Sequence, residues 1–426
     1  MENQTLTQPK VSQLAENIIG SEILKIAGEV KALISQGQNI YNLTIGDFDS
    51  NEFPIPDELK QGIIKAYQEN NTNYPPANGV AELREEVSKL LRSRANLVYS
   101  PDDILVTSGA RPILFSAFAT LVDPQDTVIY AVPSWNTNHY TYLNGAKSVV
   151  IIGKPENNFM PSADDIRPSI KEASVVALCS PQNPTGTVFT KAGLEAICDV
   201  ILEENKRRGP DAKPVYLIFD QIYWELTMEG TTHYNPVVLR PEMRDYTIFI
   251  DGISKSLSAT GVRVGWCYGP SYVIGKMKSL LSHIGAWAPK PEQIATAAYL
   301  ANTAAYSSFI DQQRKKIFVR LDGLYKGFQA LKSEGFNVDA IAPQAALYLT
   351  VKLALHGKTT ADGKALAETK DITSYILNEA KIAVVPFYAF GTETNSPWYR
   401  ISIGTCAVDD AEKIISNLRS ALKKLK

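Results

Sequence analysis

Between about residue 100 and residue 270, short apolar and β-branched runs alternate with stretches of helical spacing. Ile104-Leu105-Val106-Thr107 precedes a helix that starts near Pro112, and Thr127-Val128-Ile129-Tyr130 leads into a loop through Trp135. Further runs follow at 148–152, 174–178, 215–219 and 247–250. These runs are continuous rather than alternating apolar with polar, which predicts a largely parallel sheet buried on both faces and flanked by helices. The fold class is therefore α/β, with this sheet as the heart of a large domain.

Beyond Ser307 the pattern changes. A long polar–apolar helix runs through Arg314, Leu321, Leu324 and Phe328, followed by strand-like residues 346–351, a second strand from Arg400 to Ile403, and an amphipathic helix over 411–425. This predicts a smaller α+β domain, completed by an N-terminal helix around residues 23–34. The expected division is an N-terminal arm with part of the small domain at 1–55, the large domain at 56–306 and the small domain at 307–426. Residues 355–364 read as a surface loop, and no internal repeat is present.

Composition narrows the partners. A chain of 426 residues with 45% apolar and 21% charged residues belongs with ordinary globular proteins, and a formal charge of −2 offers no electrostatic footprint for nucleic acid. The start, Met1-Glu2-Asn3-Gln4-Thr5, is polar and no apolar leader core or spanning run follows, so neither secretion nor a membrane is expected. Cys179, Cys198, Cys267 and Cys406 are scattered without paired spacing, as are the four histidines. The expectation is buried thiols in a reducing cytoplasm and no metal.

The candidate chemistry centres on Lys255. A lysine is usually a solvated residue, and a Gly/Ser-rich stretch is usually a loop. This one, however, follows the apolar run 247–250, where open α/β sheets place ligands, and stands in Gly252-Ile253-Ser254-Lys255-Ser256, with Arg263 eight positions on. An amine that can condense with a carbonyl, small neighbours and a phosphate-pairing guanidinium are what pyridoxal phosphate requires. Asp220 ends the run 215–219 and is either a turn aspartate or the carboxylate that holds a pyridine nitrogen protonated. Tyr223 and Asn183, the latter in Asn183-Pro184-Thr185-Gly186, are placed to meet a ring phenolate; that tetrapeptide alone is only a turn. Trp135 either stacks on the ring or is a core tryptophan. Ser108-Gly109-Ala110-Arg111 lies at a strand-to-helix junction, where backbone N–H groups receive phosphate.

Together these residues resemble the class I/II aminotransferases of pyridoxal-phosphate fold type I, over essentially the whole chain from Asn42 onward. Supporting matches are Tyr74-Pro75-Pro76 with Gly79, Gly46 after Leu43-Thr44-Ile45, and Arg400 in Tyr399-Arg400-Ile401-Ser402. The resemblance implies catalytic roles for Lys255, Asp220 and Tyr223. It implies cofactor contacts from Gly109, Ala110, Arg111, Trp135, Asn183, Ser254 and Arg263, and from Tyr74 across a homodimer boundary. Substrate contacts would come from Gly46, Asn183, Arg400 and Arg111, with Arg400 taking the α-carboxylate; read from the residue alone, Arg400 is equally a surface ion-pair partner. The implied reaction moves an amino group between an L-amino acid and a 2-oxo acid.

Substrate choice stays open. Arg111 either faces a distal carboxylate, favouring aspartate and glutamate, or is a first-turn helix residue. Tyr348, Phe387 and Trp287 could instead line an aromatic pocket, and the same scaffold supports lyase chemistry. Two segments depart from the common pattern: Phe387 stands where glycine is frequent, and Asp47-Phe48-Asp49-Ser50-Asn51 lengthens the loop after Gly46.

Overall fold

In the computed structural model, which describes residues 11–426, seven strands form one sheet. In chain order they are β1 (Ile104–Thr107), β2 (Thr127–Val132), β3 (Lys147–Ile152), β4 (Ala173–Cys179), β5 (Tyr216–Asp220), β6 (Thr247–Gly252) and β7 (Gly265–Tyr268). Their spatial order is β1-β7-β6-β5-β4-β2-β3, and only β7 runs against the others. The polar start, Met1 to Thr5, lies outside the described residues.

Each strand's alternate side chains enter opposite apolar layers, as pleating requires. Leu217, Phe219 and Phe249 pack on one face with Leu194, Ile197 and Ile201 of α3 (Lys191–Arg208). Ile218, Ile248 and Ile250 pack on the other with Ile113, Ala117 and Phe118 of α2 (Ala110–Leu121). The expected burial on both faces holds for β1, β2 and β6, every residue of which is buried. It fails at β3, where Val150 and Ile152 are 43% and 61% exposed. Both β1 and β3 are edge strands, but helices at 81–95, 110–121 and 271–284 pack on β1, whereas the short helix Thr137–Leu143 packs on β3 and leaves part of it in solvent.

The C-terminal part forms a four-stranded antiparallel sheet, β10-β11-β9-β8, from β8 (Val338–Ala340), β9 (Tyr348–Leu353), β10 (Val385–Pro386) and β11 (Trp398–Ser402). Ile317, Leu321, Leu324 and Phe328 of α4 (Thr303–Ser333) and Ile414 and Leu418 of α5 (Asp410–Leu422) share one apolar cluster with Leu349 and Val351 of β9. Leu43 and Phe53 join that cluster, and so do Ile222 and Tyr223 just beyond β5. The N-terminal helix α1 spans Glu22–Ser35, and Tyr41–Asn42 pairs in parallel with Ile382–Ala383. The strand expected at 346–351 is shifted two residues later, because Ala345 and Ala346 are taken up by backbone bonds from Ala345 N–H to Gly186 and from Ala346 N–H to Leu226. The loop at 355–364 is not wholly superficial: Leu355 and Thr360 are buried, and Thr359 exchanges backbone bonds with Lys426.

Because β1, β2, β4, β5 and β6 all point the same way, their C-terminal ends meet at one sheet edge. β7 runs oppositely and so begins there. Every sequence-predicted residue that follows one of these strands, together with Arg263 just before β7, is therefore delivered to a single place. Among the described residues, no helix is long and apolar enough to cross a membrane.

Candidate active site

That edge borders a cavity of about 420 Å³, lined by Lys255, Asp220, Asn183, Tyr223, Trp135, Ser254, Arg263, Ala110, Arg111, Gly46 and Arg400. At one end, α2 begins at Gly109, whose φ of +87° is one that a side chain disfavours. A Cβ at Gly109 would also run into the Arg263 guanidinium. Gly265 makes a second close approach: a Cβ there would lie 2.9 Å from the Ala110 nitrogen. These two glycines let Arg263 lie against the first turn of α2, where it donates to the Thr260 and Ser108 carbonyls at 2.7 and 2.8 Å. A helix N-terminus, a guanidinium and the buried Ser254 hydroxyl together make an anion cradle.

On the cavity floor Asp220 ends β5 and accepts the Ile222 N–H at 3.0 Å. Burial lifts its carboxyl to about 6, opposed by that N–H and by the Lys255 charge. Tyr223 shares a 2.6 Å hydroxyl–hydroxyl bond with Tyr348, both being buried. Burial also pushes the Tyr223 phenol well above its usual range.

Lys255 stands between these groups. Its Nζ donates to the Gly46 carbonyl at 2.5 Å. Desolvation lowers its pKa to about 8; Asp47 opposes the shift, while Arg400, Arg111 and Arg263 add to it. An amine so placed is partly neutral near neutral pH, as a nucleophile and proton acceptor needs to be.

At the opposite end Arg400 is only 1% exposed. It donates to Asn183 Oδ1 at 3.1 Å and to the Thr44 carbonyl at 2.5 Å, and its guanidinium lies 4.7 Å from the Tyr348 ring centre. Its Nε is buried without a partner. A surface ion pair is thereby excluded: this is a desolvated cation with an unspent donor. Arg111 is exposed, and its guanidinium lies 4.7 Å from the centre of the Trp135 ring.

Two aromatic expectations change. Phe387 is fully buried behind the site, edge-on to Phe159 at 5.2 Å, and Trp287 packs on Tyr74 at 5.3 Å; neither lines the cavity. Of the proposed aromatic pocket only Tyr348 does. Phe387 occupies an apolar cluster with Val385 and Phe390, where its ring surface is removed from water, and this explains its withdrawal from the cavity. Tyr74 is 82% exposed and stands outside the cavity of its own chain.

Sequence reasoning assigns no role to five lining residues, although it marks the segment that begins at Asp47 as one that could border the substrate. Ile23, Leu24 and Ala27 of α1 line the cavity, and so do Asp47 and Thr260, joined by a 2.6 Å hydrogen bond. The extended loop after Gly46 was the one available signal for Asp47. Nothing in the local pattern of α1 says which of its faces meets a ligand.

The donor set fits pyridoxal phosphate: an anion cradle, a carboxylate beneath, an amine at the centre, and hydroxyl and amide groups between. Four cationic side chains (Lys255, Arg111, Arg263, Arg400) face two carboxylates (Asp47, Asp220), which suits a ligand carrying several negative charges.

Comparison with known proteins agrees with the geometry. The family described as aminotransferase class I and II matches residues 38–418. The chain is 28% identical to the aspartate aminotransferase of Bacillus subtilis (strain 168), covering 97% of this chain and 99% of that one. It is 30% identical to the aspartate aminotransferase of Geobacillus stearothermophilus, over 96% and 98%. The crystal structure of the aspartate aminotransferase from Rhizobium meliloti superposes with a TM-score of 0.89 at 27% identity, over 98% of this chain and all of that one. The lysine-centred cavity at the strand ends and the match across nearly the full length lead to one conclusion: the chain belongs to the class I and II aminotransferases.

Proposed function

We propose that this aminotransferase uses pyridoxal phosphate and prefers amino acids with two carboxylates, aspartate and glutamate, paired with a 2-oxo acid such as 2-oxoglutarate. The observation that carries the preference is that Arg400 and Arg111 border the same cavity as Lys255. The relatives bearing the aspartate aminotransferase name support it.

When bound, the cofactor supplies an aldehyde and an electron-withdrawing ring that acidify the α-carbon of the amino acid. Arg263, Ser254 and the N–H groups at Gly109, Ala110 and Arg111 hold its phosphate. Asp220 would hold the ring nitrogen protonated by setting an ionised carboxylate beside it. Asn183 and Tyr223 meet the phenolate oxygen, and Trp135 flanks the ring. Arg400 would take the α-carboxylate bidentately through its guanidinium, whose Nε has no other partner, assisted by Asn183 and the Gly46 backbone. Lys255 would take the proton from the α-carbon and deliver it to the carbon that the cofactor's aldehyde supplies, which its lowered pKa suits. Arg111 meets the distal carboxylate.

The reading extends to a homodimer in which the exposed Tyr74 serves the partner's phosphate site, to a division at about residues 56 and 307, and to a cytoplasmic setting for the free thiols. Mixing Lys255→Ala subunits with Tyr74→Phe subunits tests the shared site, since activity returns only if sites are shared.

The primary test mixes cofactor-loaded protein with single amino acids and follows the absorbance change of the bound cofactor. Glutamate and aspartate are expected to react ahead of alanine and phenylalanine, and Lys255→Ala to abolish the change. Faster reaction with aromatic amino acids removes the dicarboxylate preference, and release of ammonia without an acceptor indicates a lyase.

A further inference from the structure

The segment 44–47 carries three successive acceptors, each given to a different part of the site. The Thr44 carbonyl receives Arg400 and the Gly46 carbonyl receives Lys255. Asp47 Oδ1 receives the Thr260 hydroxyl at 2.6 Å and the Phe48 N–H at 2.8 Å. Thr260 in turn offers its carbonyl to Arg263 at 2.7 Å. On its other side the segment packs closely: a Cβ on Gly46 would sit 2.6 Å from the Tyr348 hydroxyl, and the Asp47 carbonyl lies against Gly404. Asp49 N–H is bonded to the Gly404 carbonyl at 2.8 Å. Among the described residues, Asp47 is the side chain of the segment that hydrogen-bonds to the lysine-bearing stretch between β6 and β7.

We propose that Asp47 is a positioning residue: its carboxylate, bonded to Thr260, latches the segment 44–47 onto the lysine-bearing stretch and so fixes the Gly46 carbonyl at Lys255 and the Thr44 carbonyl at Arg400. The latch couples the two ends of the cavity through one hydrogen bond between parts of the chain more than two hundred residues apart. It also sets a negative charge beside the amine. The charged and titratable groups facing Lys255 are Asp47, Asp220, Arg111, Arg263 and Arg400, with Tyr223 5.9 Å away by its ring centre. Asp47 is the carboxylate among them that most favours the charged amine.

The consequence for substrate binding rests on the transaminase reading; the consequence for the amine does not. In cofactor-free protein, the pH dependence of Lys255 labelling by an amine-selective reagent, read by peptide mass, is expected to have its midpoint near 8. Asp47→Asn and Asp47→Ala move that midpoint lower, because a charge that favoured the ammonium is gone, whereas Thr260→Val leaves the charge in place and moves it less. In the loaded enzyme, Asp47→Ala and Thr260→Val each raise KM for the amino acid roughly tenfold with a smaller change in kcat, as misplacement of a binding group does. Asp47→Asn keeps the acceptor and retains most of the wild-type KM. The double variant Asp47→Ala with Thr260→Val is within about twofold of Asp47→Ala, since the Asp47–Thr260 bond is already lost in either single.

Additive single effects, or an Asp47→Ala variant with wild-type KM and an unmoved labelling midpoint, would overturn the latch. Should the wild-type protein fail to react with any amino acid while the labelling midpoints shift as stated, the latch stands and the transaminase reading falls. Melting curves of each variant separate these effects from loss of fold.

Discussion

The two guanidiniums proposed to meet the substrate are held in opposite ways. Arg400 is buried, tied to Asn183 and Thr44 and flanked by the rings of Tyr348 and Phe390 at 4.7 and 4.9 Å. Arg111 is exposed, rests on one face of Trp135 and, among the described residues, has no hydrogen-bond or ion-pair partner. A cation fixed before its ligand arrives loses little freedom on binding and demands one geometry; a cation lying on an aromatic face can follow ligands of different length. The fixed end suits the group that every amino acid shares, and the loose end suits the group by which they differ.

The largest effect should come from breaking the fixed end. Arg400→Ala is expected to lower kcat/KM by about 10²–10³-fold for every amino acid tested, because removing one partner of a buried charge pair costs roughly 2–5 kcal/mol. Arg400→Lys should recover little, since a point charge does not reproduce a planar fork. Steady-state kinetics with alanine, phenylalanine and glutamate checks both; a loss confined to glutamate would contradict the assignment. Next, Arg111→Ala should cost dicarboxylic substrates roughly 10–100-fold, the range of one or two charge-assisted hydrogen bonds, and leave alanine within about twofold. An equal loss on all substrates would erase the contrast between the two ends. The smallest effect sharpens it: Trp135→Leu removes the face under Arg111, worth about 0.5–1 kcal/mol, and should raise KM for glutamate roughly two- to fivefold. Cofactor affinity, measured by titration of the same variant, separates that effect from loss of a ring-flanking group.

Most of the proposed cofactor side was legible in the sequence, for a local reason. Lys255, Asp220, Asn183 and the Ser108–Arg111 junction each follow an apolar run, and strand direction carries all of them to one edge. Arg263 was legible by spacing from Lys255, although its place at the edge depends on β7 running backwards. The substrate side was less legible because its members come from distant stretches. Asp47 and Thr260 meet over 213 positions, and the lining face of α1 depends on where the helix lies rather than on its pattern. Phe387 and Trp287 show the converse: aromatic character alone does not say whether a ring faces a ligand or the core behind it.

The cavity's unequal parentage has a consequence for how such enzymes diversify. The sheet-borne wall is entangled with the packing of both apolar layers, so substitutions there are paid in fold stability as well as in chemistry. Ile23, Leu24 and Ala27 sit on a helix that contributes few buried residues, with Leu24 63% exposed. Changes at Leu24 would therefore reach the cavity while leaving both apolar layers of the large sheet untouched.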